Sequence, residues 1–139
     1  MENASTIYAL CAAILGAQLI LIAFWTGTVR VKRKVYINPE DATFNKADQG
    51  DDHPDVLRVK RAHQNALENA VPFFAIGALY AATSPSKTAA LAYMGTFTVV
   101  RVLHTFFYLG GKQPFRTLCF AIGALATLGM AQHVIRAAL

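Results

Sequence analysis

Arg58, Arg61, Asn65 and Glu68 recur at intervals of three and four residues in the stretch LRVKRAHQNALENAVPFF, residues 57–74. On a helix they share an arc of roughly 80°, and Asn69 extends it. Arg101, His104 and Tyr108 repeat the spacing within an arc of roughly 60°. Arg116-Thr117 follows Pro114, which can open a helix, so both fall at a helix N-terminus, the positive end of its dipole. With Arg30, the polar positions singled out on the helices hold five arginines against one acid, Glu68. An arginine at mid-membrane costs roughly 2.5–3.5 kcal/mol on insertion scales. A surplus of guanidinium in a cleft therefore calls for an anion, and its planar fork suits a carboxylate. The competing reading is a structural polar layer in which Arg61, Glu68 and Arg101 neutralise one another. His63 lies off the stripe and reads as exposed or structural.

The elements that carry these residues are apolar. Hydrophobic residues make up 55% of the 139-residue chain and charged residues 15%, where a soluble domain carries about 25%. The mean hydropathy is +0.36. No Asp, Glu, Lys or Arg occurs between Ala4 and Val29 or between Thr117 and Ile135, each run near the roughly 20 residues needed to span a bilayer. The first run is longer than a signal-peptide core and lacks a basic lead-in, so it reads as a retained span. Four helices are expected, at about 5–33, 55–82, 87–110 and 114–137, in a single all-α membrane domain. Tyr8 and Trp25 stand near the ends of the first, as interfacial aromatics do. Pro72 is expected to kink the second, because it leaves the Glu68 carbonyl without its helical donor. The fourth is rich in small residues, among them Gly123 and Ala126, which suit close packing.

The segment between the first two helices, about 34–54, reads as a loop in which Asn38-Pro39-Glu40-Asp41 starts a short helix, with Asn38 as its cap. Eight of the thirteen Lys and Arg residues lie between Arg30 and Arg61, interleaved with six of the eight acids. Apolar runs surround this patch, so nucleic acid is not an expected partner. The connection near Lys87 is poor in charge, and the other two are basic. By the positive-inside rule both termini lie on the outer or luminal side. Cys11 and Cys119 stand alone in apolar runs, neither a disulfide framework nor a metal motif.

RVKRAHQNALENAVPFF, VRVKRKVYINPEDA (29–42), RVLHTFFYL (101–109) and QPFRT (113–117) together resemble the family of membrane-associated proteins in eicosanoid and glutathione metabolism (MAPEG). The four motifs fall in one register across all four helices. Within the family the chain resembles the branch of glutathione transferases and prostaglandin E synthase-type isomerases. Glu68-Asn69 and Gln113-Pro114 lean toward the transferases. The resemblance implies a four-helix membrane bundle, a homotrimer, and glutathione bound between neighbouring subunits on the cytoplasmic side. It also implies an endoplasmic-reticulum-type membrane in a eukaryote or an inner membrane in a bacterium. Arg30, Arg61, Asn65, Glu68, His104 and Tyr108 would hold the peptide, with Glu68 on its ammonium and the arginines on its carboxylates. Arg116 and Thr117 would lie at the sulfur, as catalytic residues. Asp41, Gln64, Arg58 and Arg101 are further candidates.

A thiol of pKa about 8.5 is only about 3% thiolate at pH 7, and the thiolate is the nucleophile. A guanidinium at a helix N-terminus favours the anion, each pKa unit being worth about 1.4 kcal/mol. The activity expected from the resemblance is glutathione transfer to hydrophobic electrophiles or reduction of lipid hydroperoxides, with substrates arriving from the membrane. The alternative is a glutathione-dependent endoperoxide isomerase. Asp41 and the Thr117 hydroxyl keep that reading open, whereas Gln64 stands where that type carries arginine. A binding protein of the same architecture without turnover is the third reading.

Overall fold

The computed structural model describes residues 4–139. Helix α1 (Ala4–Arg33) leads into a two-residue strand β1 (Val35–Tyr36), a short helix α2 (Pro39–Asn45) and a second strand β2 (Asp48–Gln49). Three long helices follow: α3 (Pro54–Ala82), α4 (Lys87–Leu109) and α5 (Phe115–Ala138). The molecule is an all-α membrane protein. Helices α1, α4 and α5 are each long and apolar enough to cross a bilayer. Their outward faces are apolar, with Phe24 71% and Leu125 68% exposed, which is the surface hydrocarbon requires.

Helix α3 changes character along its length. Its first half is polar, and its second supplies Phe73 and Tyr80, both fully buried. Phe73 stacks on Phe97 of α4 with ring centroids 4.5 Å apart. Met94, Met130 and Leu15 close the core around them. Lipid tails are as apolar as these side chains, so close packing rather than water exclusion holds this core together. Gly123 and Ala126 of α5 are buried on that face, and a Cβ on Gly123 would sit 3.4 Å from the Arg101 side chain.

Pro72 sits inside α3, which runs on to Ala82 as expected. Other local expectations change. Tyr8 is engaged within the fold: its hydroxyl donates to the Phe74 carbonyl at 2.9 Å and its ring stacks on Phe73. Gly77 permits that approach, since a Cβ there would meet the Tyr8 ring at 3.2 Å. Asn38 precedes α2 but makes no side-chain cap; its amide instead donates to Asp41 at 3.0 Å. The expected loop contains a parallel pairing of β1 with β2 that brackets α2. Two residues per strand are too short to leave an alternation in the sequence.

Asp52 anchors that loop. Its side chain is 2% exposed, and it accepts from Arg30 of α1 at 2.9 and 3.1 Å and from Lys60 of α3 at 2.9 Å. Burial pushes its carboxyl pKa up. The hydrogen bonds from Lys60 and Arg30 and their positive charges outweigh that, and the net value falls below the ordinary carboxylate range. Arg33 is hydrogen-bonded to Asp55 beside it.

Candidate active site

The site grows from one buried arginine. Arg101 of α4 is 2% exposed, and its guanidinium donates to the backbone oxygen of Asn65 at 3.2 Å and to its side-chain Oδ1 at 2.7 Å. Gln18 of α1 donates to the Arg101 carbonyl at 3.2 Å and to the Thr105 hydroxyl. One network therefore ties α1, α3 and α4 together and fixes the Asn65 side chain. The neutral layer of Arg61, Glu68 and Arg101 does not form. Glu68 accepts from Gln64 at 3.0 Å, and Arg101 takes the Asn65 oxygens instead.

Above this network lies an open cleft of about 280 Å³, lined by Asn65, His104, Tyr108, Arg116, Thr117 and Phe120. Helix α3 supplies the first, α4 the next two and the opening turns of α5 the rest. Five of these six were legible as candidates; Phe120 was not, because an aromatic in an apolar run carries no separate signal. His104 is 3% exposed and its ring lies 5.8 Å from that of Tyr108. The Arg116 guanidinium sits over the Tyr108 ring, 4.7 Å from its centroid. A ring face holds a cation in place without neutralising it. Among the described residues, no Asp or Glu lines the cleft and Arg116 forms no ion pair. The Thr117 hydroxyl lies 3.1 Å from Gln113 Oε1, to which it donates. The chemistry available here is stabilisation of an anion at the head of α5.

The remaining candidates lie elsewhere on the chain. Arg61 and Glu68 are exposed on α3, one turn before and one turn after Asn65. Arg30 is engaged by Asp52 and does not line the cleft. Asp41 is held within α2 by Asn38. Arg58 lines a different hollow, between α1 and the end of α4. Gln18 and Asp52 were missed: the first is a lone amide in an apolar run, the second one acid among five in a mixed loop. Both cysteines are buried and unpaired.

The sequence profile of the MAPEG family matches residues 8–136. The chain is similar to microsomal glutathione S-transferase 1 of Homo sapiens, 37% identical over 95% of this chain and 89% of that protein. The Bos taurus protein of the same name is 41% identical over 82% of this chain and 77% of its own length. Prostaglandin E synthase of Homo sapiens is 34% identical over 92% of this chain and 86% of that protein. Given a match that runs through all four long helices and the cleft between them, the chain belongs to the MAPEG family.

Proposed function

We propose that this protein is a membrane-bound glutathione transferase whose Arg116 stabilises the thiolate of bound glutathione. The observation that carries the reading is an arginine at the mouth of a helix, held over a tyrosine ring and facing a cleft that no acid lines among the described residues. The relatives named as glutathione transferases support it. Asn65, His104 and Tyr108 position the peptide beside Arg116. The thiol proton leaves to solvent, the sulfur forms its bond to the electrophilic carbon, and the leaving group departs with its electron pair. Thr117 can donate to the sulfur once it releases Gln113. Hydrophobic substrates reach the cleft from the bilayer, and lipid hydroperoxides belong to the same class of oily electrophile.

Arg30, Arg61 and Glu68 lie outside the cleft of a single chain. A trimer with glutathione between neighbouring subunits would let residues of one copy complete the cleft of the next. In that assembly α3 crosses the membrane beside α1, α4 and α5 as a four-helix bundle. Both termini lie on the outer or luminal side and the basic connections in the cytoplasm. The membrane is that of the endoplasmic reticulum in a eukaryote or the inner membrane in a bacterium.

Purified protein in detergent should conjugate glutathione to a chlorinated nitrobenzene, and Arg116→Ala should abolish most of that rate. Wild-type turnover in Arg116→Ala would remove the assignment. The second reading, an endoperoxide isomerase, draws on the relatives named prostaglandin E synthase. It is separated by counting glutathione consumed per product: one for the transferase, none for the isomerase.

A further inference from the structure

One face of α1 changes chemistry along its length. Ile14, Leu21 and Trp25 recur at helical spacing and form, with Val102, Phe106 and Leu109 of α4, an apolar hollow of about 630 Å³. The same face continues through Thr28 and Val29 to Lys32 and Arg33, which line a second hollow of about 550 Å³ with Asp55 and Arg58 of α3. Trp25 and Leu109 belong to both, so the two are one groove with an apolar length and a cationic end. From Ile14 to Trp25 the helix rises roughly 16 Å, close to half of the roughly 30 Å hydrocarbon core. The cations begin two turns beyond.

Arg33 is spent on Asp55. Lys32 and Arg58 have no acidic partner among the described residues. The Arg58 guanidinium is seated against Gly111, where a Cβ would stand 2.8 Å from its Nη1. Gly111 has φ +66°, so this turn both favours glycine and leaves room for the guanidinium. We propose that this groove holds one anionic phospholipid, with an acyl chain along the Ile14–Trp25 face and the phosphate between Lys32 and Arg58. Charge complementarity selects this occupant. The two cations without acidic partners call for an anion, and the apolar length continuous with them calls for a chain on the same molecule. Basic pockets between helices at a membrane surface take anionic headgroups in this way. The site does not share the residues of the glutathione cleft and needs none of its chemistry.

Trp25 is the protein's single tryptophan and reports on the groove directly. The protein is reconstituted, without glutathione, in nanodiscs of phosphatidylcholine and phosphatidylglycerol, with bromine on the acyl chains of one lipid at a time. Brominated phosphatidylglycerol should quench Trp25 more strongly than brominated phosphatidylcholine at equal mole fraction. Lys32→Gln and Arg58→Gln should each lower that preference about fivefold. Arg136→Gln, which removes the same charge from the far end of α5, should leave it unchanged. Equal quenching of the wild-type protein by the two lipids overturns the proposal, whether or not the variants fold. A preference that survives removal of both cations also overturns it. Failure of both lipids to quench would mean that protein covers the groove, and overturns it too. Because every arm omits glutathione, a negative result leaves the transferase reading intact, and loss of transferase activity does not touch this one.

Discussion

Two basic clusters flank the polar half of α3, and they are built on opposite principles. At the loop, Arg30 and Lys60 converge on a buried carboxylate, Asp52, which ties both cations into the fold and offsets one of their two charges. At the head of α5, Arg116 meets a tyrosine ring and, among the described residues, no acid. The first cluster closes a loop onto two helices. The second leaves a cation held in position with its electrostatic demand unmet. An arginine count from sequence treats the two alike, yet Arg30 is bound to a carboxylate and Arg116, among the described residues, is not.

The comparison breaks most visibly at Arg116. Arg116→Ala should lower kcat for conjugation about 10²–10³-fold, the loss typical of one group aimed at developing negative charge. Arg116→Lys should recover part of it, because the charge returns without the planar fork. Arg30→Lys should leave the chemical step far less affected. Equal losses of kcat in the Arg30 and Arg116 variants would erase the distinction.

Asn65→Ala strikes the network beneath the cleft. It removes the 2.7 Å bond to a buried guanidinium, worth about 1.5–3 kcal/mol for a charged donor. The thermal midpoint in detergent should fall, and the KM for glutathione should rise as the cleft loses a polar wall. A raised KM with no change in midpoint would mean that Arg101 does not depend on Asn65.

Asp52→Asn should loosen the segment 34–53 toward protease by breaking charge-assisted bonds, at a cost of about 2 kcal/mol. The pH dependence has a fixed sign. The Asp52 carboxyl titrates below its ordinary range, so its stabilising contribution is complete above the unfolded value near 3.9 and is lost as pH falls through the lower, folded one. Neutral and mildly acidic solutions should leave the loop protected, and protection that disappears between pH 8 and 6 would contradict the clamp. The smallest effect is expected from Gln64→Ala, which removes only an exposed bond to Glu68; stability should change by no more than about 0.5 kcal/mol.

Much of this was legible because helical spacing gives angle. Asn65, His104, Tyr108 and Arg116 could be assigned to facing stripes, and they line one cleft. Spacing gives height less clearly. Arg58 shares an arc with Asn65 but lies roughly 10 Å lower along α3, beside Gly111 and the end of α1 instead of the cleft. Pairings across long sequence separations were invisible: Arg30 looked surplus because its acid lies 22 residues away in a loop. Gln18 fixes Arg101 from 83 residues away. Tyr8 was noted for its position near a helix end, and its bond to the Phe74 carbonyl, 66 residues away, left no signal.

The central claim is that an uncancelled guanidinium at the head of α5 ionises the glutathione sulfur. Thiolate absorbs in the ultraviolet where the thiol does not, so a difference spectrum of glutathione with the detergent-solubilised protein, titrated in pH, reads that ionisation before any turnover. The account predicts a thiolate band at neutral pH in wild-type protein, and its shift to the alkaline range of free glutathione in Arg116→Ala. Bound glutathione that titrates like the free tripeptide in wild-type protein, or identically in both proteins, would contradict it.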